Sequence, residues 1–202
     1  MKKQQSIWNT PNKLTMLRVL MVPIMVIVAM IPIPGHLGNV PMNHVVVDIL
    51  FVIASLTDQL DGYLARKNNQ VTAFGKFLDP IADKIVVVTA LLLLVEIGKV
   101  PAWVPIIVIF REFLVSGYRL VVVEKNGKVI AANIWGKIKT FTQMIAIGLM
   151  FIDQGIYFEC VTGKLTGFPL VLNIVTSVLL TFSIIATVFS GYEYMKDYKK
   201  VL

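Results

Sequence analysis

Long apolar runs separated by short polar connections make up most of the chain. Because a helix needs about 20 apolar residues to cross a bilayer, each run of that length predicts a membrane span. Six such runs lie at roughly residues 14–33, 44–65, 80–97, 102–123, 134–153 and 168–191. The pattern therefore predicts an all-α integral membrane protein with six transmembrane helices, a single domain over residues 1–202 and a short interfacial segment at the amino terminus.

Composition agrees with a membrane protein and argues against a nucleic-acid-binding one. The 202 residues are 56% hydrophobic and only 15% charged, and the mean hydropathy is +0.76, which is unlike a soluble domain of this size. The net charge of +7 comes from basic residues spread between the apolar runs. They do not form a dense tract with interleaved aromatic residues, so nucleic acid is not indicated as a partner.

The basic residues alternate between the two sides of the predicted membrane. Both termini and the connections after spans two and four contain most of them, whereas the other connections contain only Lys99 and Lys164. The positive-inside rule then places both termini on the cytoplasmic side of the cell membrane, together with the connection between spans two and three. On this basis Lys125, Lys128 and Lys139 are interpreted as topogenic charge.

Four aspartates lie where spans two and three approach that cytoplasmic connection. Asp58 and Asp61 are three residues apart and Asp79 and Asp83 four apart, so each pair can share one helix face. A carboxylate at the bilayer centre costs about 2.5–3.5 kcal/mol, and carboxylates that face one another also repel. Divalent cations would offset both effects, and oxygen ligands suit magnesium, manganese or calcium. The spacing therefore predicts a cation site.

Small residues between the aspartates suggest that a bulky ligand approaches this site. Gly62 and Ala65 lie beside the first pair of acids, and Gly75 lies one turn before Asp79. Arg66 adds a planar group suited to phosphate. Two cations about 3.5–4 Å apart can hold the attacking and leaving oxygens of a phosphoryl transfer. The pattern therefore favours phosphoryl-transfer chemistry.

The spacing DxxDG(x)2AR(x)8GxxxDxxxD resembles the signature of the CDP-alcohol phosphatidyltransferases. Every fixed position of that signature is filled here, by Asp58, Asp61, Gly62, Ala65, Arg66, Gly75, Asp79 and Asp83. The resemblance implies a six-helix membrane fold that forms a homodimer, in which an alcohol attacks the phosphorus of a CDP-alcohol and releases CMP. Gln59 departs from the aromatic or small residue expected at its position, but it lies on another helix face from the two acids.

The resemblance also implies a role for each residue of the signature. The ligands of two divalent cations, Mg²⁺ or Mn²⁺, are then Asp58, Asp61, Asp79 and Asp83. Asp83 is also the general base that takes the proton of the attacking hydroxyl. The expected CDP-lipid pocket consists of Gly62, Ala65, Arg66, Gly75 and Thr72, with Asn12 and Thr15 from an element that resembles the family's NxxTxxR sequence. Arg18 of that element is expected to approach a phosphate.

The acceptor alcohol has to be identified from residues outside the signature. Arg111 lies in an apolar run beside Glu112, where an arginine is costly without a partner. The segments around residues 111–119 and 136–144 resemble the branch of the family that uses glycerol 3-phosphate. The resemblance implies attack on CDP-diacylglycerol, with phosphatidylglycerophosphate and CMP as products. The acceptor phosphate would be bound by Arg18, Arg111, Arg119 and Lys137.

Three alternatives remain open. A family member of the cardiolipin synthase type would use phosphatidylglycerol as acceptor. A membrane cation transporter would also contain intramembrane carboxylates, but the acids cluster at one membrane face and no polar path continues across the spans. A non-catalytic helical scaffold would tolerate the loss of Asp83.

Overall fold

A computed structural model of the protein describes residues 9–67, 72–126 and 134–199. Within these ranges the backbone forms six α-helices: α1 (Thr10–Met30), α2 (Met42–Lys67), α3 (Ala73–Glu96), α4 (Trp103–Asn126), α5 (Ile134–Ile152) and α6 (Phe168–Lys199). Each predicted apolar run falls largely within one helix, so the all-α class is confirmed. The predicted interfacial segment at the amino terminus falls mainly on residues 1–8, outside the described residues.

Three details of the backbone differ from the sequence pattern. A two-residue antiparallel pair, β1 (His36–Leu37) and β2 (Val40–Pro41), lies between α1 and α2, and Glu159–Thr162 forms a 3-10 turn before α6. The third helix begins at Ala73, before the apolar run that starts at residue 80, and Pro80 lies inside it. Hydropathy alone did not predict these features, because it detects the length of apolar runs. It does not detect short hydrogen-bonded turns or the polar first turns of a helix.

Two of the helices are long and apolar enough to cross a membrane by length and composition, α1 over Asn12–Met30 and α6 over Phe168–Lys196. The apolar part of α5, Ile138–Ile152, is shorter. Large apolar side chains such as Phe110 and Phe113 are exposed on the helix surfaces. Water solvates such an apolar surface poorly, whereas lipid solvates it well. The exposed apolar side chains and the long apolar helices therefore indicate a membrane protein.

The chain divides into two compact units, Met1–Leu93 and Leu94–Leu202. In the first unit α1 packs against α2, and Met25, Phe51 and Ala54 are buried. In the second unit α6 packs against both α4 and α5. The prediction of one domain over residues 1–202 stays a prediction, and the units are described separately.

The buried side of α6 combines hydroxyl and amide residues with apolar ones such as Leu180 and Ile184. The buried hydroxyl and amide residues of this helix are Asn173, Thr176, Ser177, Ser183, Thr187 and Ser190. Several of the hydroxyls bond to carbonyls of their own helix, for example Ser183 to Leu180 (2.8 Å) and Thr187 to Ser183 (2.6 Å). Side chains of this size let neighbouring helices approach closely, which explains the extensive packing of α5 on α6.

A lysine side chain caps the carboxyl end of α5. Lys99 Nζ donates hydrogen bonds to the backbone carbonyls of Met150 (3.0 Å), Phe151 (2.9 Å) and Asp153. The last carbonyls of a helix have no partner within it, and they carry a partial negative charge. The ammonium group therefore supplies both the missing donors and the complementary charge.

Asp153, the first residue after α5, is fully buried and hydrogen bonded. Its Oδ1 accepts from the backbone N–H of Gly155 (2.9 Å), and its Oδ2 accepts from Asn173 Nδ2 (3.0 Å). Burial raises the pKa of the Asp153 carboxyl, and these hydrogen bonds and the Lys99 charge oppose part of that rise. The group fixes the loop before α6 to the end of α5.

Candidate active site

Three polar side chains of α1 are almost completely buried, with 2% of Asn12, 1% of Thr15 and 1% of Arg18 exposed. The helix begins just before them because Asn9 caps it, accepting the backbone N–H of Asn12 at 3.0 Å. Buried polar groups require hydrogen-bond partners, so these side chains reveal what α1 packs against.

Arg18 is paired with the first aspartate of the signature. Its Nη1 donates to Oδ1 of Asp58 at 2.7 Å, and the Asp58 side chain is 32% exposed while that of Arg18 is 1% exposed. A charge-assisted bond of this length fixes the position of the carboxylate. The buried cation also offsets the cost of placing a carboxylate near apolar surroundings.

Thr15 is paired with the third aspartate of the signature. Its Oγ1 donates to Oδ1 of Asp79 at 2.7 Å. Because Thr15 and Arg18 are three residues apart, they lie within one turn of α1. Carboxylates from α2 and α3 are therefore both held at the same turn of α1, although they are far apart in sequence.

Asn12 contacts the start of α3. Its Nδ2 lies 2.9 Å from Oγ1 of Thr72, and Thr72 Oγ1 in turn accepts the backbone N–H of Gly75 at 3.0 Å, which caps α3. A Cβ on Gly75 would lie 2.7 Å from Oδ1 of Asn12. The glycine thus has a packing role here, and its predicted role in admitting the CDP-lipid stays a prediction.

These residues form one group, named the first-unit cluster. Its members are Asn12, Thr15, Arg18, Asp58, Thr72 and Asp79. The sequence resemblance suggested that the α1 residues approach a nucleotide or a phosphate, and the structure adds that they bond to the aspartates and to the start of α3. Their predicted contacts with the CDP-lipid stay predictions.

The other signature residues are described less completely. Asp83 lies four residues after Asp79 on α3, so the two share a helix face. Asp61, Gly62, Ala65 and Arg66 belong to α2, but their side chains lie outside the described part of the structure. Among the side chains that are described, no group of three or more acidic, histidine or cysteine residues lies close enough to hold a metal ion.

The chemistry of the described donors nevertheless fits a hard cation. Asp58 and Asp79 supply carboxylate oxygens, the donors that Mg²⁺ and Mn²⁺ prefer. Each carboxylate has two oxygens with about four acceptor directions, so a hydrogen bond from Arg18 or Thr15 to one oxygen is compatible with a cation at the other. The assignment of Asp61 and Asp83 as further ligands stays a prediction.

A second buried polar group lies in the second unit and is centred on Arg111. The Arg111 guanidinium donates from Nη1 to Glu112 Oε1 (2.9 Å) and from Nη2 to Ser190 Oγ (2.5 Å), and it lies 5.9 Å from the centre of the Tyr194 ring. Lys139 Nζ forms an ion pair with the same oxygen of Glu112. These five residues, which are Arg111, Glu112, Lys139, Ser190 and Tyr194, are named the second-unit cluster.

Sequence reasoning identified only part of this cluster. The cost of an intramembrane arginine pointed to Arg111, whereas Lys139 was interpreted as topogenic charge and is in fact 4% exposed and ion-paired. That interpretation was incomplete. The side chains of Arg119 and Lys137, also predicted to bind the acceptor phosphate, lie outside the described part of α4 and α5. Nothing in the sequence singled out Ser190 or Tyr194.

Comparisons with known proteins agree with the signature. The family model described as CDP-alcohol phosphatidyltransferase matches residues 8–189. A CDP-diacylglycerol--glycerol-3-phosphate 3-phosphatidyltransferase of Bacillus subtilis is 44% identical over 192 residues, covering 93% of each chain. A protein of the same name from Haemophilus influenzae is 37% identical over 193 residues, covering 94% of this chain and 92% of the relative. A probable phosphatidylglycerophosphate synthase of Mycobacterium tuberculosis is 37% identical over 187 residues, covering 93% and 80%.

Proposed function

The chain belongs to the CDP-alcohol phosphatidyltransferase family, and from that premise we propose that it transfers the phosphatidyl group of CDP-diacylglycerol to glycerol 3-phosphate. The products are phosphatidylglycerophosphate and CMP, so the enzyme serves anionic phospholipid synthesis. The observation that supports this chemistry most directly is the anchoring of Asp58 and Asp79 at one turn of α1.

The proposed reaction is a displacement at the phosphorus of the phosphatidyl group. The primary hydroxyl of glycerol 3-phosphate attacks, a new P–O bond forms, and the pyrophosphate P–O bond to CMP breaks. Asp83 accepts the proton of the attacking hydroxyl, as a general base. Thr15 and Arg18 hold Asp79 and Asp58 in fixed positions during this step.

Two divalent cations, Mg²⁺ or Mn²⁺, are proposed as cofactors. Their ligands would be Asp58, Asp61, Asp79 and Asp83. When bound, such ions stabilise the charge that develops on the attacking and leaving oxygens. The family resemblance and the oxygen donors of the first unit support this assignment, and chelation is its test.

The acceptor phosphate is proposed to bind basic side chains, in accord with the names of the relatives. The proposed residues are Arg18, Arg111, Arg119 and Lys137. The CDP-lipid is proposed to bind the small and polar residues of the signature. That set is Asn12, Thr15, Gly62, Ala65, Arg66, Thr72 and Gly75.

The protein is proposed to act as a homodimer in the cell membrane, with six spans and with both termini and the active site on the cytoplasmic side. The family membership and the two span-length helices support a membrane location. The distribution of basic residues supports the orientation. This side is where soluble glycerol 3-phosphate and membrane-held CDP-diacylglycerol can meet.

The test is CMP release by the purified protein in detergent, with CDP-diacylglycerol and one acceptor at a time. We expect turnover with glycerol 3-phosphate, loss of turnover in excess chelator, and recovery on addition of magnesium or manganese. Turnover with phosphatidylglycerol but not with glycerol 3-phosphate would identify the cardiolipin-forming alternative. Full activity in excess chelator would contradict the metal assignment.

A further inference from the structure

The proposed reaction assigns a task to Arg111 but none to the side chains that surround it. Arg111 is held by Glu112 of its own helix and by Ser190 of α6, and the Tyr194 ring lies against it. The Arg111 side chain is only 12% exposed. A guanidinium bound at several points from two helices has little rotational freedom, so its remaining N–H groups have defined directions.

Donor capacity remains on this arginine after those bonds. A guanidinium has five N–H groups, and the bonds to Glu112 and Ser190 use two of them. Within the described part of the chain, Arg111 Nε is buried and lacks a hydrogen-bond partner. The bonds to Glu112 and Ser190 therefore do not exhaust the hydrogen-bonding capacity of the guanidinium, and the N–H groups that remain can serve an acceptor on a ligand.

The charge of the second-unit cluster favours an anion as that ligand. Two cations, Arg111 and Lys139, share one carboxylate, that of Glu112. Lys139 and Arg111 bind the same oxygen of Glu112, so cations outnumber carboxylates among these three side chains. A guanidinium in a largely buried environment attracts an oxyanion strongly.

The backbone of α6 also lies close to the Arg111 side chain. A Cβ on Gly191 would lie 3.3 Å from Cγ of the arginine, so α6 approaches the arginine stem closely. Other buried hydroxyls of α6, such as those of Ser183 and Thr187, bond to carbonyls of their own helix. Ser190 differs because its oxygen accepts a hydrogen bond from another helix.

We propose that Glu112, Lys139, Ser190 and Tyr194 are positioning residues, which hold the Arg111 guanidinium in the orientation that binds the phosphate of the acceptor. This inference rests on the proposed function, because it takes glycerol 3-phosphate as the ligand of Arg111. None of the four residues touches the reacting atoms. Their contribution is to acceptor affinity, and it should leave the affinity for CDP-diacylglycerol unchanged.

The test compares Ser190→Ala with Ser183→Ala. Both serines lie on α6, seven residues apart, and they are 0% and 1% exposed, so the two changes remove the same atom from equally buried sites. We expect Ser190→Ala to raise the KM for glycerol 3-phosphate about tenfold, since it removes one hydrogen bond to a charged group. Its kcat and its KM for CDP-diacylglycerol should stay within about twofold of wild type, and Ser183→Ala should resemble wild type throughout.

Equal KM values for glycerol 3-phosphate in the two variants would overturn the proposal. So would a Ser190→Ala variant whose defect is equal for both substrates, because that pattern indicates general damage to the fold. If Ser190→Ala does not yield folded protein, Ser190→Cys serves instead, since a thiol has a similar shape but is a weak acceptor. A wild-type KM for glycerol 3-phosphate in that variant would equally overturn the proposal.

A binding measurement separates this inference from the proposed function. Glycerol 3-phosphate is titrated calorimetrically into wild type, Ser190→Ala and Ser183→Ala without CDP-lipid. Weaker binding by Ser190→Ala alone supports the positioning role, and equal binding by the two variants contradicts it. Absence of CMP release from wild type with glycerol 3-phosphate would instead refute the proposed function.

Discussion

In the first unit, buried donors hold carboxylates, whereas in the second unit buried acceptors hold a guanidinium. Arg18 and Thr15 donate to Asp58 and Asp79, so that cluster contains one cation and two carboxylates. The second-unit cluster contains two cations and one carboxylate. In both, a buried partner fixes a charged group, and one sign of charge predominates among the side chains of the cluster. The opposite signs suit a metal ion in the first unit and a phosphate in the second.

The largest predicted effect is a loss of turnover on substitution of Asp83, the proposed general base. Asp83→Asn should lower turnover by about 10²–10⁴-fold, because the amide cannot take the proton of the attacking hydroxyl. CMP release and CDP-lipid binding are measured together, and binding should be retained. Asp153→Asn is the control, since it makes the same change in a structural aspartate. Wild-type CMP release by Asp83→Asn would refute the base assignment.

A smaller effect should separate the two clusters by ligand. Thr15→Val removes the hydroxyl that holds Asp79, and the loss of such a supporting hydrogen bond costs about 10–100-fold in metal affinity. Mn²⁺ affinity is measured by electron paramagnetic resonance, with Thr15→Ser as the variant that keeps the hydroxyl. The affinity of Thr15→Val for glycerol 3-phosphate, measured by calorimetry without metal, should not change.

Ser190→Ala should show the reverse pattern, with normal Mn²⁺ affinity and weaker acceptor binding. If either variant weakened the binding of Mn²⁺ and of glycerol 3-phosphate equally, the assignment of the metal to the first-unit cluster and of the acceptor to the second-unit cluster would be wrong.

Packing of the first-unit cluster can be tested at a glycine. Gly75→Ala places a Cβ 2.7 Å from Asn12 Oδ1 and should destabilise the fold by about 1–3 kcal/mol. Gly117→Ala is the matched change, because nothing lies within 4 Å of a Cβ there and a helical alanine is favoured by about 0.5–1 kcal/mol. Thermal unfolding in detergent distinguishes them. Equal unfolding temperatures in the two variants would contradict the predicted clash and would show that the Asn12 side chain moves away from the new methyl group at little cost.

The smallest effect concerns a polar group with no proposed ligand. Asp153→Asn should cost about 1–2 kcal/mol, because its amide would face the amide of Asn173 in place of an acceptor. Burial raises the pKa of Asp153, so the folded state holds this proton more tightly than the unfolded state. Stability from this group therefore increases as pH falls through the raised pKa toward the ordinary value of an aspartate. The gap in unfolding temperature between wild type and variant should widen as the pH is lowered from neutral through that range, and a narrowing gap would contradict this.

The helices of both units could be predicted from sequence because apolar length reports directly on burial or contact with lipid. The pairings within the clusters could not, since they join residues 40 apart for Arg18 and Asp58, and 79 apart for Arg111 and Ser190. The spacing of the aspartates predicted a cation site but did not predict which side chains hold the carboxylates. Ser190 is indistinguishable in sequence from Ser183, and only the approach of α4 gives it a partner.

Lys99 has a consequence for the order in which the chain is made. Its three carbonyl partners lie 51, 52 and 54 residues further along the chain. During synthesis the ammonium group is therefore present well before the end of α5 exists to receive it. A chain truncated between α4 and α5 leaves Lys99 without these three acceptors, so we expect it to be degraded faster than the full chain.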